Sequence, residues 1–410
     1  RLPGERLPVR AQEAGADAAG LREERPLPAA RTLAAWTQTN ANPAHNGGHV
    51  AGPGRPAVAW TGDAGTGSSD DSAVTAAPVV AEGRVFTLDA AAEIAAFDAA
   101  SGAERWRTSL VPNEEEEGEE GFGGGPALAE GRLVVTTGFG EVLALDPASG
   151  EVFWRRQLGA PMRAGPAVSE GLIVAVTRDS RAFGLALADG AVLWRHQGVE
   201  ARAGFLGGAS PALAGGLAFV PYPSGELVAL EARTGRQVWG AVMTGGRRGL
   251  ARSAITDLTG DPVVAGRLVI AANQSGRIAA FEGSTGQRAW TRAIGATQPI
   301  WAAGDSLFLV SDTARAMRLD ARSGRTLWER ALPAFGDPED REDPIAYSGP
   351  VLVGGRALLT DSEGNLWSLD GTTGEGEIVA DLPAGAVTGL VAAGGTLYTL
   401  TDDADLVALR

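Results

Sequence analysis

Four features of the chain use residue types that can do chemistry. Gly304-Asp305-Ser306-Leu307 has the spelling of an esterase nucleophile block. Ser306 could attack a carbonyl only with a histidine to take its proton and an acid to orient that histidine. No Asp-x-x-His follows it, and all three histidines, His45, His49 and His196, lie upstream. His45 and His49 have the i, i+4 spacing of a helical zinc pair. Pro43, Gly47 and Gly48 disfavour a helix there, however, and no Glu or third ligand stands nearby. Their segment reads as loop, and His196, just after Trp194, reads as a surface residue on a strand. Phe122 to Pro126 is glycine-rich but lacks both a GxGxxG and a GK[ST] ending, so it does not read as a phosphate cradle. Acids recur at one position, as Asp98, Asp146, Glu231, Glu282, Asp320 and Asp370. Active-site carboxylates form one small constellation and do not return once per repeat, so these are expected to be turn residues. The sequence predicts no catalytic, metal-ligating or cofactor-binding residue.

Composition bounds what must position any site. The 410 residues are 44% hydrophobic and 21% charged, enough to bury a large core. A net charge of -15 repels phosphate backbones and argues against a nucleic-acid partner. Cysteine is absent, which removes disulfides and thiolate chemistry and leaves the compartment open. The 58 glycines punctuate short Val, Leu and Ala-rich runs, as in β proteins with many turns.

Those runs repeat. Trp106, Trp154, Trp194, Trp239, Trp290 and Trp328 are spaced by 48, 40, 45, 51 and 38 residues, each with a glycine four positions earlier: Gly102, Gly150, Gly190, Gly235, Gly286 and Gly324. Gly374 and Ile378 make a seventh copy without its tryptophan. One copy, GPALAEGRLVVTTGFGEVLALDPASGEVFW, divides into four apolar runs joined by hairpin-length turns, which predicts a four-stranded antiparallel meander. A unit of this period, apolar on both faces, must pack against copies of itself, which is the propeller architecture. After the seventh copy the chain supplies only three more runs. Trp60 in PAVAWTG is in phase with the series, so a strand near Ala57 to Thr61 is expected to complete an eighth blade. The expected fold is all-β, an eight-bladed propeller over residues 33–410 closed by an N-terminal strand, with residues 1–32 as a flexible tether. Trp60, Trp106, Trp154, Trp194, Trp239, Trp290 and Trp328 are expected to dock neighbouring blades, each indole N–H finding a backbone carbonyl.

The repeated phrase Asp-x-x-x-Gly-x-x-x-Trp resembles the tryptophan-docking motif of pyrroloquinoline-quinone-type propeller repeats, from about residue 54 to 410. Two groups carry it. One is the quinone-dependent alcohol dehydrogenases, which carry an adjacent Cys-Cys pair over the cofactor; the other is the BamB family, scaffolds of the outer-membrane β-barrel assembly (BAM) machine. The missing cysteines favour BamB, and the opening RLPGERLPVR with HNGGH is similar to alphaproteobacterial members. The alternative is a quinone- or sugar-binding propeller. Membership in BamB implies a non-enzymatic lipoprotein without cofactor, on the periplasmic face of the outer membrane. It implies a lipid on a cysteine upstream of Arg1, a POTRA domain of a BamA-like protein as partner, and contact with nascent outer-membrane proteins.

The loops that enter the next blade are unequal. From Trp154 and Trp290 the next blade-opening proline is 12 and 9 residues away, but from Trp106, Trp194, Trp239 and Trp328 it is 20, 17, 23 and 22. The first long loop, with the acidic run Glu114 to Glu120, and the last, FGDPEDREDP, read as solvated acidic tips. The middle two carry Phe205, Leu206, Leu250, Ile255 and Leu258 beside several arginines, which suits either a contact surface or a local cap. The resemblance assigns the partner contact to Phe205, Leu206 and Gly207 on one loop and Asp257 and Leu258 on the other. Leu206 stands where the family has an arginine, and Thr259 where it has a second aspartate.

Overall fold

The computed structural model describes residues 25–70, 72–112, 123–201, 208–243, 257–274, 276–296 and 298–410. Eight four-stranded antiparallel sheets form the ring. Blades 1 to 7 are meanders in chain order, over residues 79–109, 124–157, 167–197, 212–242, 260–292, 301–331 and 347–381. Blade 8 takes three strands from the end of the chain, Val391–Ala393, Thr396–Leu400 and Asp405–Leu409, and its outermost strand, Val58–Asp63, from near the beginning. Trp60 sits opposite Ala408, in the register its phase predicts. The hydrophobic core lies between blades. Phe86, Leu88 and Ile94 of blade 1, for example, share a cluster with Leu133, Val135 and Leu143 of blade 2, so no blade buries its faces alone.

Each docking tryptophan is aimed by a bulge. In blade 2 Ala144 pairs with Trp154 and Leu145 with Val152, so Phe153 is the extra residue, and blades 1 and 3 to 6 repeat the irregularity just before the tryptophan. The added residue increases local twist and turns the indole toward the next blade. There it lies on the motif glycine of that blade. A Cβ on Gly150 would come within 2.6 Å of Trp106, and Gly190, Gly235, Gly286, Gly324 and Gly374 are covered in the same way by Trp154, Trp194, Trp239, Trp290 and Trp328. These glycines also have positive φ, from 68° to 76°, so turn conformation and indole contact both exclude a side chain. The indole N–H of Trp106, Trp154, Trp194, Trp239, Trp290 and Trp328 donates to a backbone carbonyl of the next blade's turn at 2.7 to 3.2 Å.

The ring closure modifies this pattern twice. Trp60 covers Gly102 as expected, but its Nε1 is buried without a hydrogen bond. By analogy with the other blades its acceptor would be the carbonyl of Ala99, which instead accepts from Tyr398 Oη at 3.1 Å and Arg410 Nη2 at 3.4 Å. Ile378 lacks an indole because blade 8 has no final hairpin to dock against: its fourth strand arrives from the other end of the chain.

Residues 33–50 make one circuit of the ring. The carbonyl of Leu33 accepts from Gly394 of blade 8, Trp36 exchanges backbone hydrogen bonds with Val80 of blade 1, and Thr37 accepts from Leu128 of blade 2. The Gln38 amide brackets Val168 of blade 3. Pro43 and Ala44 accept from Leu213 of blade 4 and Val264 of blade 5, Gly48 accepts from Trp301 of blade 6, and Val50 donates to Leu352 of blade 7. An innermost strand leaves one edge unpaired, and this clasp satisfies part of that edge in blades 1 to 5 and 7, while it meets blade 6 through the Trp301 indole and blade 8 at the turn residue Gly394. Both expected loop histidines belong to it. His45 Nδ1 donates to Pro262, while His49 donates through Nδ1 to Pro28 and accepts through Nε2 from Gly355. His196, half-buried, bonds Tyr222 and Gln237.

The described part of the expected tether is packed against the ring. Arg25 pairs with Asp320 and its carbonyl accepts from Arg318 Nη2, while Pro28 lies over Gly304. The remainder of the proposed tether, residues 1–24, lies outside the described residues.

Candidate functional site: the loop face and the central funnel

A meander that starts at one face returns to it after its second and fourth strands. The connections between blades therefore all emerge on one face, together with each blade's middle turn. The clasp bonds residues near the opposite end of the innermost strands and closes that side. On the loop face the starts of the eight innermost strands surround a funnel of about 410 Å³, whose floor is made by Trp36, Thr39 and Asn40 of the clasp.

Of the residues expected to contact a partner, Phe205, Leu206 and Gly207 lie outside the described residues. Asp257 and Leu258 are described, and both are fully buried. Asp257 Oδ1 accepts from Arg163 Nη2 at 2.6 Å, and the same nitrogen lies 3.4 Å from the carbonyl of Leu258. The partner of Asp257 is thus a buried cation from the connection between blades 2 and 3. Arg163 reaches blade 5 by passing beneath Gly208, where a Cβ would come within 2.6 Å of its Nε. This pair fixes the downstream ends of both long middle loops. No sequence signal marks Arg163, since it lies outside the repeated phrase.

The recurrent acids are turn residues. Asp98, Asp146, Asp320 and Asp370 each accept from backbone N–H groups in the turn that follows them. Arg105, with Ser101, holds the Asp98 carboxyl below the usual range. Ser306 is buried in the first hairpin of blade 6, where its Oγ accepts from Arg318 Nε at 2.9 Å. The FGDPEDREDP loop forms a short exposed hairpin, Phe335–Asp337 with Glu342–Pro344, beyond the simple tip expected for it.

Two buried groups couple clasp and ring to pH. Desolvation pushes His45 down to about 4 against the hydrogen bond to Pro262, and pushes Asp261 up to about 7. Asp261 accepts from Ser210 N–H at 2.6 Å and Asn40 Nδ2 at 2.9 Å. Between pH 4 and 6.5 the unfolded chain holds the extra proton at His45, so this group removes stability as pH falls. Over 3.8 to 7 the folded chain holds the extra proton at Asp261, so its contribution is present at low pH and is lost as pH rises through 7. The two oppose each other in the shared window. Asp261→Asn should therefore steepen acid destabilisation by up to about 1.4 kcal/mol per pH unit there. Urea unfolding at several pH values measures this, and a slope equal to the parent's contradicts it.

Fold and site together define an eight-bladed, tryptophan-docked propeller whose one open face carries the inter-blade loops. The sequence profile of the family described as outer membrane protein assembly factor BamB matches residues 34–118 and 90–330, and the chain belongs to that family. The BamB of Alkalilimnicola ehrlichii is 31% identical over 213 residues, 50% of this chain and 51% of that protein. That of Escherichia coli K12 is 27% identical over 206 residues, 50% of each. The chain thus spans about half the length of the curated relatives it matches. Among solved structures, BamB from Moraxella catarrhalis superposes with a TM-score of 0.71 at 18% identity, covering 87% of this chain and 99% of that one. A quinohemoprotein alcohol dehydrogenase from Comamonas testosteroni superposes at 0.68 with 13% identity, covering 93% and 81%, and at that identity the likeness shows the fold alone.

Proposed function

We propose that the protein is a non-enzymatic scaffold of outer-membrane protein assembly, working on the periplasmic face of the outer membrane and binding a POTRA domain of a BamA-like partner through its inter-blade loops. Family membership supports the assembly role. The observation that carries the orientation is the asymmetry of the ring, with the clasp on one face and the loops on the other. The described chain begins on the clasp face, at Arg25 beside Asp320. A lipid on a cysteine upstream of Arg1 would hold that face toward the membrane and leave the loops free for the POTRA domain and for nascent outer-membrane proteins. Phe205, Leu206 and Gly207 are the direct contacts in this reading. Asp257 and Leu258 act from below, by holding the loop ends.

Replacing Phe205 and Leu206 together by Ala should leave the thermal melt unchanged and weaken binding to purified POTRA domains by roughly 2 kcal/mol or more, the cost of losing hot-spot anchors. Calorimetry checks it. Replacing Glu114 to Glu117 by Ser is the control and should leave affinity at moderate salt as it was. A folded Phe205/Leu206 variant that binds like the parent would place recognition elsewhere.

A further inference from the structure

The funnel is charged in a way the scaffold does not need. Its wall holds Arg163 and Asp261. The Arg163 charge is matched by Asp257 behind it, and Gly208 packs over Nε, so this guanidinium is committed to the protein. Asp261 is different. It is 6% exposed, both of its hydrogen-bond donors are neutral, and no ion pair among the described residues includes it. A buried carboxylate without a counter-ion is costly, and burial accordingly pushes it up to about 7. The same cavity is lined by Trp36 and Trp301, whose rings stack at 5.3 Å and 11°. Gln298 and Thr388 also belong to the lining, the Thr388 hydroxyl being bonded to Leu400 N–H and Thr399 within blade 8. An uncompensated carboxylate and an aromatic wall in one small cavity match an organic cation with an apolar stem.

We propose that the funnel binds an alkylammonium group, with Asp261 as its counter-ion and the Trp36–Trp301 pair as the wall for its methylene stem. A volume of about 410 Å³ admits a lysine side chain with its flanking peptide or a free diamine, and lies within the usual range for small-ligand pockets. Its groups, Asp261, Trp36 and Trp301, are not those of the partner-loop reading, so the two readings are tested by different variants.

The test titrates the full chain, above pH 7 where Asp261 is ionised, with N-acetyl-lysine amide, diaminopentane and the neutral isostere N-acetyl-norleucine amide. Tryptophan fluorescence and calorimetry are the readouts. At least one amine should give a saturable single-site isotherm, with the norleucine probe roughly tenfold or more weaker. The tighter of the two amines identifies the source as peptide or free amine. Asp261→Asn should remove the preference for the amine and leave norleucine binding as it was. Ala77→Phe, in the segment entering blade 1 across the ring from Asp261, keeps the carboxylate but fills the funnel and should weaken every probe. This second variant decides the matter if Asp261→Asn does not fold. Equal affinity for lysine and norleucine probes, no saturable amine binding, an unchanged preference in folded Asp261→Asn, or unchanged amine binding in folded Ala77→Phe would each overturn the proposal.

Discussion

Removal of residues 1–64 should leave no stable monomeric propeller. That cut takes the outermost strand of blade 8, Val58–Asp63, and exposes the pairing edge of Asp405–Leu409, whose Leu406 to Leu409 are fully buried. It also takes the clasp, with a backbone or side-chain hydrogen bond to each of the eight blades and the buried Trp36 indole. Burying one such aromatic contributes about 1.5 to 3 kcal/mol, and a domain's whole net stability is about 5 to 15 kcal/mol. Loss of strand, clasp and indole together exceeds that margin, and the freed edge invites association. Removal of residues 1–24 should leave the melt at the parental temperature, because it keeps the clasp and every anchor found among the described residues. Removal of 1–30 should fall between, since it deletes Arg25 and Pro28 from their seats on blade 6. Light scattering and thermal melts of the three truncations check this. A monomeric 1–64 deletion melting with the parent would contradict the closure.

The second large effect belongs to the buried pair beneath the loops. Arg163→Met should destabilise the fold by about 3 to 5 kcal/mol, because it leaves Asp257 charged and buried without its guanidinium. Asp257→Leu alone should cost a similar amount for the mirror-image reason. The double variant should cost less than the sum of the two, since neither charge is then left without the other. Side chains 3% and 0% exposed are little screened, so the cost should change little between low and high salt, in contrast to a surface pair. Urea unfolding of the four proteins gives the cycle; additive single effects, or a cost that disappears with salt, would contradict a buried coupling. In POTRA binding these variants should act through the loop ends, so Asp257→Leu should weaken binding even though its side chain meets no partner.

The ring was legible because its determinants are local and repeated. A glycine and a tryptophan four residues apart recur with the period, and Trp60 keeps phase across the closure. The bulge that aims each indole was not legible, because the inserted residue keeps neither size nor charge: Arg105, Phe153, Leu193, Val238, Ala289 and Leu327 fill the position in turn. The clasp was not legible either. Thr37 to Val50 alternates with no period and reads as loop, and its role is set by partners scattered from Val80 to Gly394. For the same reason Arg163, about ninety residues from Asp257, gave no signal as a site residue, and Asp257 looked like an exposed loop acid. Patterns within a repeat survive in the sequence, while pairings across the centre of the ring exist only once it closes.

The central claim is that the loop face is read by the partner and the clasp face is turned away from it. Photo-crosslinking resolves the faces directly. A photoreactive residue at Val199, 60% exposed at the entrance to the loop that carries Phe205, should give a covalent adduct with the POTRA domains. The same residue at Glu170, exposed in a first-hairpin turn on the clasp face, should give none. An adduct at Glu170 without one at Val199 would contradict the account.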